Sequence, residues 1–190
     1  MATLTLNPIA DNLLYAGTAT TNYGASTEAA FGGVTTNRRH YLVEFDLSSL
    51  PASAQIQSVK FKFTVNSVQN ANSITVNAYR VYRDWVEMQS TWNIYSTGNN
   101  WGTAGCENTT TDRTSVSSGS VAVTTTGAYE IDIDLDEFAT LWADNKGLMI
   151  ARTGGDTSSY KIFPTREGAA NKPELVIEYT VGGVQAVWFA

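Results

Sequence analysis

The chain contains very few of the residues that most often carry nucleophilic or redox chemistry. Cys106 is the only cysteine and His40 is the only histidine among 190 residues. A disulfide within the chain and a cysteine-based zinc knuckle are therefore excluded. Thiol or serine catalysis would have to use His40 as its base, and this histidine lies inside a strand pattern. We therefore predict a protein that is not an enzyme, and we interpret Cys106 as a small structural residue.

Positive charge is also scarce. Lys and Arg number 12 against 18 Asp and Glu, which gives a formal net charge of -6, and no run of basic residues is present. Nucleic acids and anionic membranes both need clustered positive charge, so we predict neither as a partner. No stretch approaches the roughly 20 apolar residues of a membrane span. Residues 1–14 lack the pattern of an export signal, so we expect intracellular action, release by lysis or a removed signal.

Strand patterns dominate the rest of the sequence. Residues 56–65 show this best, because apolar side chains at Val59, Phe61 and Phe63 alternate with Lys60 and Lys62. Such a period of two is typical of a half-buried antiparallel strand. Further strands are predicted at residues 4–9, 13–15, 40–47, 73–82, 129–133, 147–151, 159–163 and 174–181.

A single helix is predicted over residues 135–144, where apolar side chains recur at helical spacing. Asp134 is the expected N-cap, Glu137 its capping-box partner, and Gly147 the end signal. Many strands with one short helix predict an all-β fold, a jelly-roll β-sandwich. We expect one domain over residues 1–181, followed by an apolar C-terminal tail at residues 182–190.

Residues 79–93, Y-R-V-Y-R-D-W-V-E-M-Q-S-T-W-N, form the most distinctive segment. Trp85 and Trp92, together with Trp101 in the next loop, could present flat apolar faces to sugar rings. The alternative is that they pack in a core, as large aromatic residues usually do. Trp101 lies among polar residues, so we expect its ring to be exposed.

Four arginines could hold an acidic sugar, because a guanidinium offers a two-pronged donor to a carboxylate. They are Arg38, Arg39, Arg80 and Arg83. The alternative is ion pairing on strand surfaces with Glu44, Asp46 or Asp84. We select Arg80 and Arg83, beside the tryptophans, as candidate glycan-binding residues.

The sequence predicts no cofactor, with structural calcium left open because carboxylates suit that ion. Glu107 and Asp112 in the long loop are the weak candidate ligands. The acidic run at residues 132–137, I-D-I-D-L-D-E from residue 131, is instead interpreted as a solvated strand face followed by a helix N-terminus.

Several ordered segments resemble the DNRLRE-type domains, which are similar to disaggregatase-related domains and alginate-binding carbohydrate-binding modules. The segments that carry this resemblance are residues 22–24, 41–51, 54–63, 79–93, 101–112, 142–150 and 172–179. Together they span roughly residues 4–181. The resemblance implies a non-catalytic jelly-roll sandwich of the kind attached to secreted glycan-active enzymes or cell-surface proteins.

The chain departs from that family pattern in three places. Residues 104–107 read A-G-C-E where the family often has paired glycines and an aspartate. Family members usually sit beside a catalytic domain or a repeat array, and we expect neither within these 190 residues. The tail G-G-V-Q-A-V-W-F-A, residues 182–190, lies outside the resemblance.

The tail predicts an assembly contact, since exposed apolar patches usually mark interfaces. Its apolar residues are Val184, Val187, Trp188 and Phe189. The alternative is that the tail folds back over its own sandwich. We therefore predict a structural or adhesion subunit of a larger assembly, a bacteriophage capsid decoration or tail protein, that also binds glycans. Its partners would be protein subunits, including copies of itself, and polysaccharide. The second hypothesis is a carbohydrate-binding module of a secreted glycan-active enzyme, and the predicted location is the virion, the cell surface or the extracellular space.

Overall fold

The computed structural model describes residues 1–152 and 158–181. Strands make up most of the regular structure, with one α-helix and two short 3₁₀ turns in the described part. The elements are β1 (Ala2–Leu6), β2 (Pro8–Tyr15), β3 (Glu28–Gly32), β4 (Arg39–Phe45), β5 (Ala54–Val65), β6 (Ser67–Gln69), β7 (Ile74–Arg80), β8 (Ile94–Ser96), β9 (Asn99–Asn100), β10 (Gly119–Val123), β11 (Gly127–Asp132), α1 (Leu135–Ala143), β12 (Leu148–Arg152), β13 (Tyr160–Pro164) and β14 (Glu174–Val181).

Two antiparallel sheets face each other. The smaller sheet has the strand order β1–β14–β5–β11, and the larger sheet has the order β10–β7–β12–β4–β3–β13–β6, with β2 also paired to β4. The strands β8 and β9 form a separate hairpin. The predicted all-β sandwich with one short helix is thus confirmed.

The main core fills the space between the two sheets. Four side chains of β5 are at most 2% exposed, namely Val59, Phe61, Phe63 and Val65. Phe61 lies opposite Ile131 of β11 and Leu175 of β14 in the smaller sheet. Phe63 meets Phe31 of the larger sheet edge-on, with ring centroids 5.3 Å apart. Alternation along β5 therefore predicts the core correctly, because one face of the strand is buried and the other carries lysines.

A second core covers the outer face of the larger sheet. Its buried residues are Leu14, Leu42, Tyr79, Val81, Trp85, Trp101, Cys106, Met149 and Ala151. The strands supply one side, and the segment of residues 82–118, here called the covering segment, supplies the other. The alternation at residues 40–47 is that of a half-buried strand, but β4 is covered on both faces, because Leu42 on its outer face is fully buried beneath this segment.

The helix α1 ends one residue before the predicted limit. Asp134 is its N-cap, and the side chain accepts hydrogen bonds from the backbone N–H groups of Asp136 and Glu137. Glu137 does not complete a capping box with Asp134. Its carboxylate contacts Arg80 at 3.4 Å, and the Asp134 N–H donates to the carbonyl of Ser118 instead.

Candidate functional site

The two indole rings at Trp85 and Trp101 are buried in the second core. Trp85 is 7% exposed and Trp101 is 5% exposed. Trp85 donates a hydrogen bond to the carbonyl of Lys146 at 2.9 Å, and Trp101 donates to the carbonyl of Thr91 at 3.0 Å. The expectation that Trp101 is exposed is wrong, because its polar loop folds back over the ring. A glycan-binding role for these rings stays a prediction.

Trp92 is half-buried and packs on the same layer. Its ring centroid lies 5.0 Å from that of His40. The ring also covers Gly105, where a Cβ atom would come within 2.6 Å of the indole and where φ is +82°. The glycine of the unusual A-G-C-E segment is therefore required by both the close approach and the left-handed backbone.

Cys106 follows in the same turn and is fully buried. Burial raises the pKa of its thiol well above the ordinary value, so the reactive thiolate is disfavoured. The sulfur contacts the carbonyl of Asp112 at 3.7 Å. This environment supports the interpretation of Cys106 as a structural residue.

The two arginines selected beside the tryptophans are both paired with carboxylates. Arg80 Nε lies 3.4 Å from Glu137, and Arg83 Nε lies 3.4 Å from Asp112. Arg80 and Arg83 therefore form ion pairs, as the alternative interpretation predicted. The predicted partners Glu44, Asp46 and Asp84 are wrong. The strand pattern could not predict the observed partners, because Glu137 lies on α1 and Asp112 lies in the covering segment. Glycan binding by Arg80 and Arg83 stays a prediction.

The weak calcium candidates are both occupied by donors. Asp112 is fully buried, and its two oxygens accept from the backbone N–H groups of Gly102, Thr103 and Asn108. Glu107 forms an ion pair with Arg38 at 2.7 Å. Donors that point at a carboxylate compete with a cation for the same lone pairs, so this geometry disfavours calcium at Asp112.

The acidic run after β11 is engaged with neighbours at most positions. Asp132 lies 3.4 Å from Lys60 of β5, and Asp134 caps α1. Asp136 and Glu137 occupy the first helical turn, where negative charge is favourable. This matches the interpretation as a strand face followed by a helix N-terminus.

The proposed assembly contact lies outside the described residues. Val184, Val187, Trp188 and Phe189 all belong to residues 182–190, so their role stays a prediction.

A cluster of tyrosine and arginine lies where three strands of the larger sheet end. The guanidinium of Arg39 is 4.2 Å from the ring centroid of Tyr15 and 4.0 Å from that of Tyr160. These distances are within cation–π range on both rings. One N–H of Arg39 donates to the carbonyl of Asn37 at 2.8 Å. Within the described residues, Arg39 has no carboxylate within 4.0 Å, whereas Arg38, Arg80, Arg83 and Arg166 each contact one.

Arg39 and Tyr160 line a cleft of about 300 Å³, here called the Tyr15–Arg39–Tyr160 cleft because Tyr15 contacts Arg39. The lining residues are Gly33, Val34, Asn37, Arg39, Gln69, Ser158 and Tyr160. Amide and hydroxyl side chains surround the guanidinium, and Asn37, Gln69 and Ser158 are exposed. The cleft therefore combines an aromatic surface, a cation and neutral hydrogen-bonding groups.

Sequence reasoning identified Arg39 as a candidate but missed the two tyrosines. Tyr15, Arg39 and Tyr160 lie on β2, β4 and β13, and strand pairing alone brings them together. A usable signal was that each lies at the end of a strand beside a long polar loop.

A larger groove of about 370 Å³ lies along β5, β11 and β14. Its lining includes charges of both signs, Lys62 and Lys172 together with Glu130 and Glu174. Tyr129, its aromatic residue, stacks on Phe63 at 5.8 Å. The groove therefore has no unpaired arginine comparable to Arg39 among the described residues.

No helix in the described part of the chain has the length and apolar character needed to cross a membrane. A search of curated proteins found no match. Residues 2–94, just under half of the chain, match the model of carbohydrate-binding module family 96. Modules of this kind bind glycans without catalysis and are typically extracellular or at a surface. The finer relation to DNRLRE-type and disaggregatase-related domains stays a prediction. Residues 2–94 are thus similar to a carbohydrate-binding module family.

Proposed function

We propose that this protein binds a glycan without chemical conversion, and that the Tyr15–Arg39–Tyr160 cleft is the contact surface. The observation that carries the proposal is the Arg39 guanidinium, which lies between two aromatic rings and has no carboxylate partner among the described residues. Five of the lining residues, from Gly33 to Gln69, lie inside the segment that matches the family model.

The chemistry of the cleft favours a sugar that carries a carboxylate. Arg39, which has no carboxylate partner in the described part of the chain, can donate two parallel hydrogen bonds to such a group. The rings hold the guanidinium in place, so little side-chain freedom is lost on binding. Asn37, Gln69 and Ser158 can exchange hydrogen bonds with sugar hydroxyls. We therefore propose an acidic polysaccharide, such as a polyuronate, as the ligand.

Binding of uronic-acid oligosaccharides, measured by calorimetry, tests this proposal. Arg39→Gln should weaken binding about 10-fold or more, since a charge-assisted bidentate contact contributes about 1.5–3 kcal/mol. Arg39→Lys should also weaken binding, because an ammonium cannot make the two-pronged contact. Neutral oligosaccharides of the same length should bind less tightly and be less affected by either change.

Lys62→Gln in the larger groove is the matched control, because it also removes one positive charge from the surface. Its binding should equal that of the unaltered chain. If Lys62→Gln weakens binding as much as Arg39→Gln, the effect is one of net charge and the cleft is not the site. If all variants bind equally, the cleft proposal fails.

The setting in which this binding operates is a finer proposal. We propose a structural or adhesion subunit of an extracellular assembly, such as a bacteriophage virion. The alternative, a module of a secreted glycan-active enzyme, fits the family match at least as well. The apolar residues of the C-terminal tail motivate the assembly hypothesis. Light scattering should show that the full chain associates and that a chain ending at Thr180 does not. If both chains are monomeric, the assembly hypothesis is contradicted.

A further inference from the structure

Three carboxylates converge where β2, the covering segment and the turn after β13 meet. They belong to Asp11, Glu87 and Glu167, and one oxygen from each lies within 4.8 Å of the other two. The three residues come from distant parts of the sequence, so only the fold brings them together. Asp11 is fully buried, while the Glu87 and Glu167 side chains are 14% and 22% exposed.

The protein's own donors satisfy only part of this cluster. Asp11 Oδ2 accepts from the hydroxyl of Tyr41 and from the N–H of Arg166, both at 2.7 Å. Arg166 also donates to both oxygens of Glu87, at 2.6 and 2.8 Å, and contacts Glu167 Oε1 at 2.9 Å. Asp11 Oδ1 and Glu167 Oε2 are buried and have no hydrogen-bond partner. Unpartnered buried oxygens are costly, and those of carboxylates more so than most.

We propose that Asp11, Glu87 and Glu167 bind one calcium ion, with the unpartnered Asp11 Oδ1 and Glu167 Oε2 as its primary ligands. Glu87, whose oxygens already accept from Arg166 and from the Asp11 N–H, supplies mainly negative charge. Calcium takes oxygen ligands at about 2.3–2.6 Å, so two of its ligands can lie up to about 5 Å apart. Magnesium, with bonds of about 2.0–2.1 Å, needs tighter spacing and a near-octahedral arrangement. Separations of up to 4.8 Å are within the reach of the larger ion.

Charge supports the same assignment. With all three carboxylates ionised and Arg166 as the facing cation, the cluster carries two uncompensated negative charges, which one divalent ion neutralises. Burial, with a further contribution from the nearby charges of Glu167 and Glu87, raises the pKa of Asp11 to about 7. The ionised form of Asp11 thus lacks the compensation that a cation would supply.

The ion would fasten the covering segment to the sandwich. The Asp11 N–H donates to Glu87 Oε1 at 2.8 Å, and Asn22 donates to the carbonyls of Glu87 and Ser90. Asn12 adds two hydrogen bonds to Ser90. The bound ion would link the covering segment to β2 in addition to these hydrogen bonds, independently of the glycan cleft. It would stabilise the folded state because it binds that state selectively.

Thermal unfolding of chelator-treated protein, with calcium, magnesium or matched sodium chloride added back, tests the site. Calcium at about 100 times its dissociation constant should raise Tm by about 5–10 °C. Terbium luminescence excited through Tyr41 should report the same site, because its hydroxyl contacts Asp11, and calcium should displace the terbium. Glu167→Gln should abolish both responses, and Asp11→Asn provides a second ligand variant.

Glu107→Gln is the control, because it removes a carboxylate of similar exposure from the other calcium candidate. This variant should keep the full calcium response. A response lost in Glu107→Gln but kept in Glu167→Gln would place the ion elsewhere and overturn the proposal. The absence of both a calcium-dependent Tm shift and a terbium signal would indicate that Asp11 is protonated instead of bound to a cation. This result would also overturn the proposal.

Discussion

At the scale of single residues, the buried ionisable groups are matched to their surroundings in different ways. Lys161 is fully buried, and its ammonium donates to the carbonyls of Asn70, Asn72 and Thr124. Three carbonyls match the three donors of an ammonium group. Burial still lowers the pKa of Lys161, but these hydrogen bonds favour retention of its charge.

His40 shows the opposite outcome. It is 1% exposed, and Nδ1 lies 2.8 Å from the carbonyl of Gly105, so this nitrogen carries the proton. Burial lowers the pKa of His40 to about 4, although Glu107 at 3.4 Å from Nε2 works against the shift. The ring is therefore neutral at pH 7 and is a poor candidate for a proton-transfer base.

This shift predicts a pH dependence of stability. Between pH 6.5 and pH 4 the unfolded chain protonates His40 while the folded chain does not, so acidification favours unfolding. The shift from 6.5 to about 4 corresponds to about 3 kcal/mol of folding stability. This stability is fully present above pH 6.5 and is lost as the pH falls towards 4. Urea unfolding at several pH values measures this loss.

His40→Gln isolates the contribution, because glutamine can donate to the Gly105 carbonyl but does not titrate. The other titrating groups are common to both chains. The stability of the unaltered chain relative to His40→Gln should therefore fall as the pH drops from 6.5 to 4. A difference that stays constant with pH would show that His40 does not have the lowered pKa.

At the scale of elements, Asp112 organises the covering segment. Its carboxylate accepts three backbone N–H groups within the segment and also contacts Arg83, which lies 5.3 Å from the Tyr95 ring. The N–H of Tyr82 donates to the Asp112 carbonyl at 2.8 Å. One acidic residue thus fixes a stretch that has little regular structure.

Asp112→Asn should destabilise the protein by about 2–3 kcal/mol. The amide replaces one accepting oxygen with an NH2 group, which leaves backbone N–H groups without an acceptor. Amide hydrogen exchange should accelerate at Gly102 and Thr103 more than in β5. Glu107→Gln, which loses one partly exposed ion pair, should cost less than about 1 kcal/mol. Equal effects of the two changes would contradict the organising role of Asp112.

The sequence predicts strand bounds well where apolar and polar residues alternate, and it misses strands that contain alanine and glycine in place of residues with strand preference. β14 has the predicted bounds, and β5 begins only two residues early. β3 and β10 were missed, because Ala29, Ala30 and Gly119 carry little strand preference. The apolar run Leu148–Met149–Ile150–Ala151 is in hindsight the signal of a strand covered on both faces.

At the scale of the whole molecule, the larger sheet is the middle of three layers. The smaller sheet covers its inner face, and the covering segment covers its outer face with aromatic side chains. Trp85 and Trp101 of the tryptophan-rich stretch therefore contribute to the second core. The candidate cleft instead assembles from strand ends whose proximity depends on pairing between distant segments, which residue spacing alone cannot supply.

Trp101 distinguishes this three-layer arrangement from a tryptophan platform. Trp101→Ala removes a ring that is 5% exposed, so it should destabilise the protein by about 3–5 kcal/mol. Glycan affinity, measured at a temperature where the variant remains folded, should stay unchanged, because the ring lies in the second core and not in the cleft. Trp101→Phe should lose less stability, since it retains much of the buried ring. If a folded Trp101→Ala variant instead loses glycan binding, the covering segment must open to expose the indole. That result would favour the tryptophan platform as the binding site instead of the Tyr15–Arg39–Tyr160 cleft.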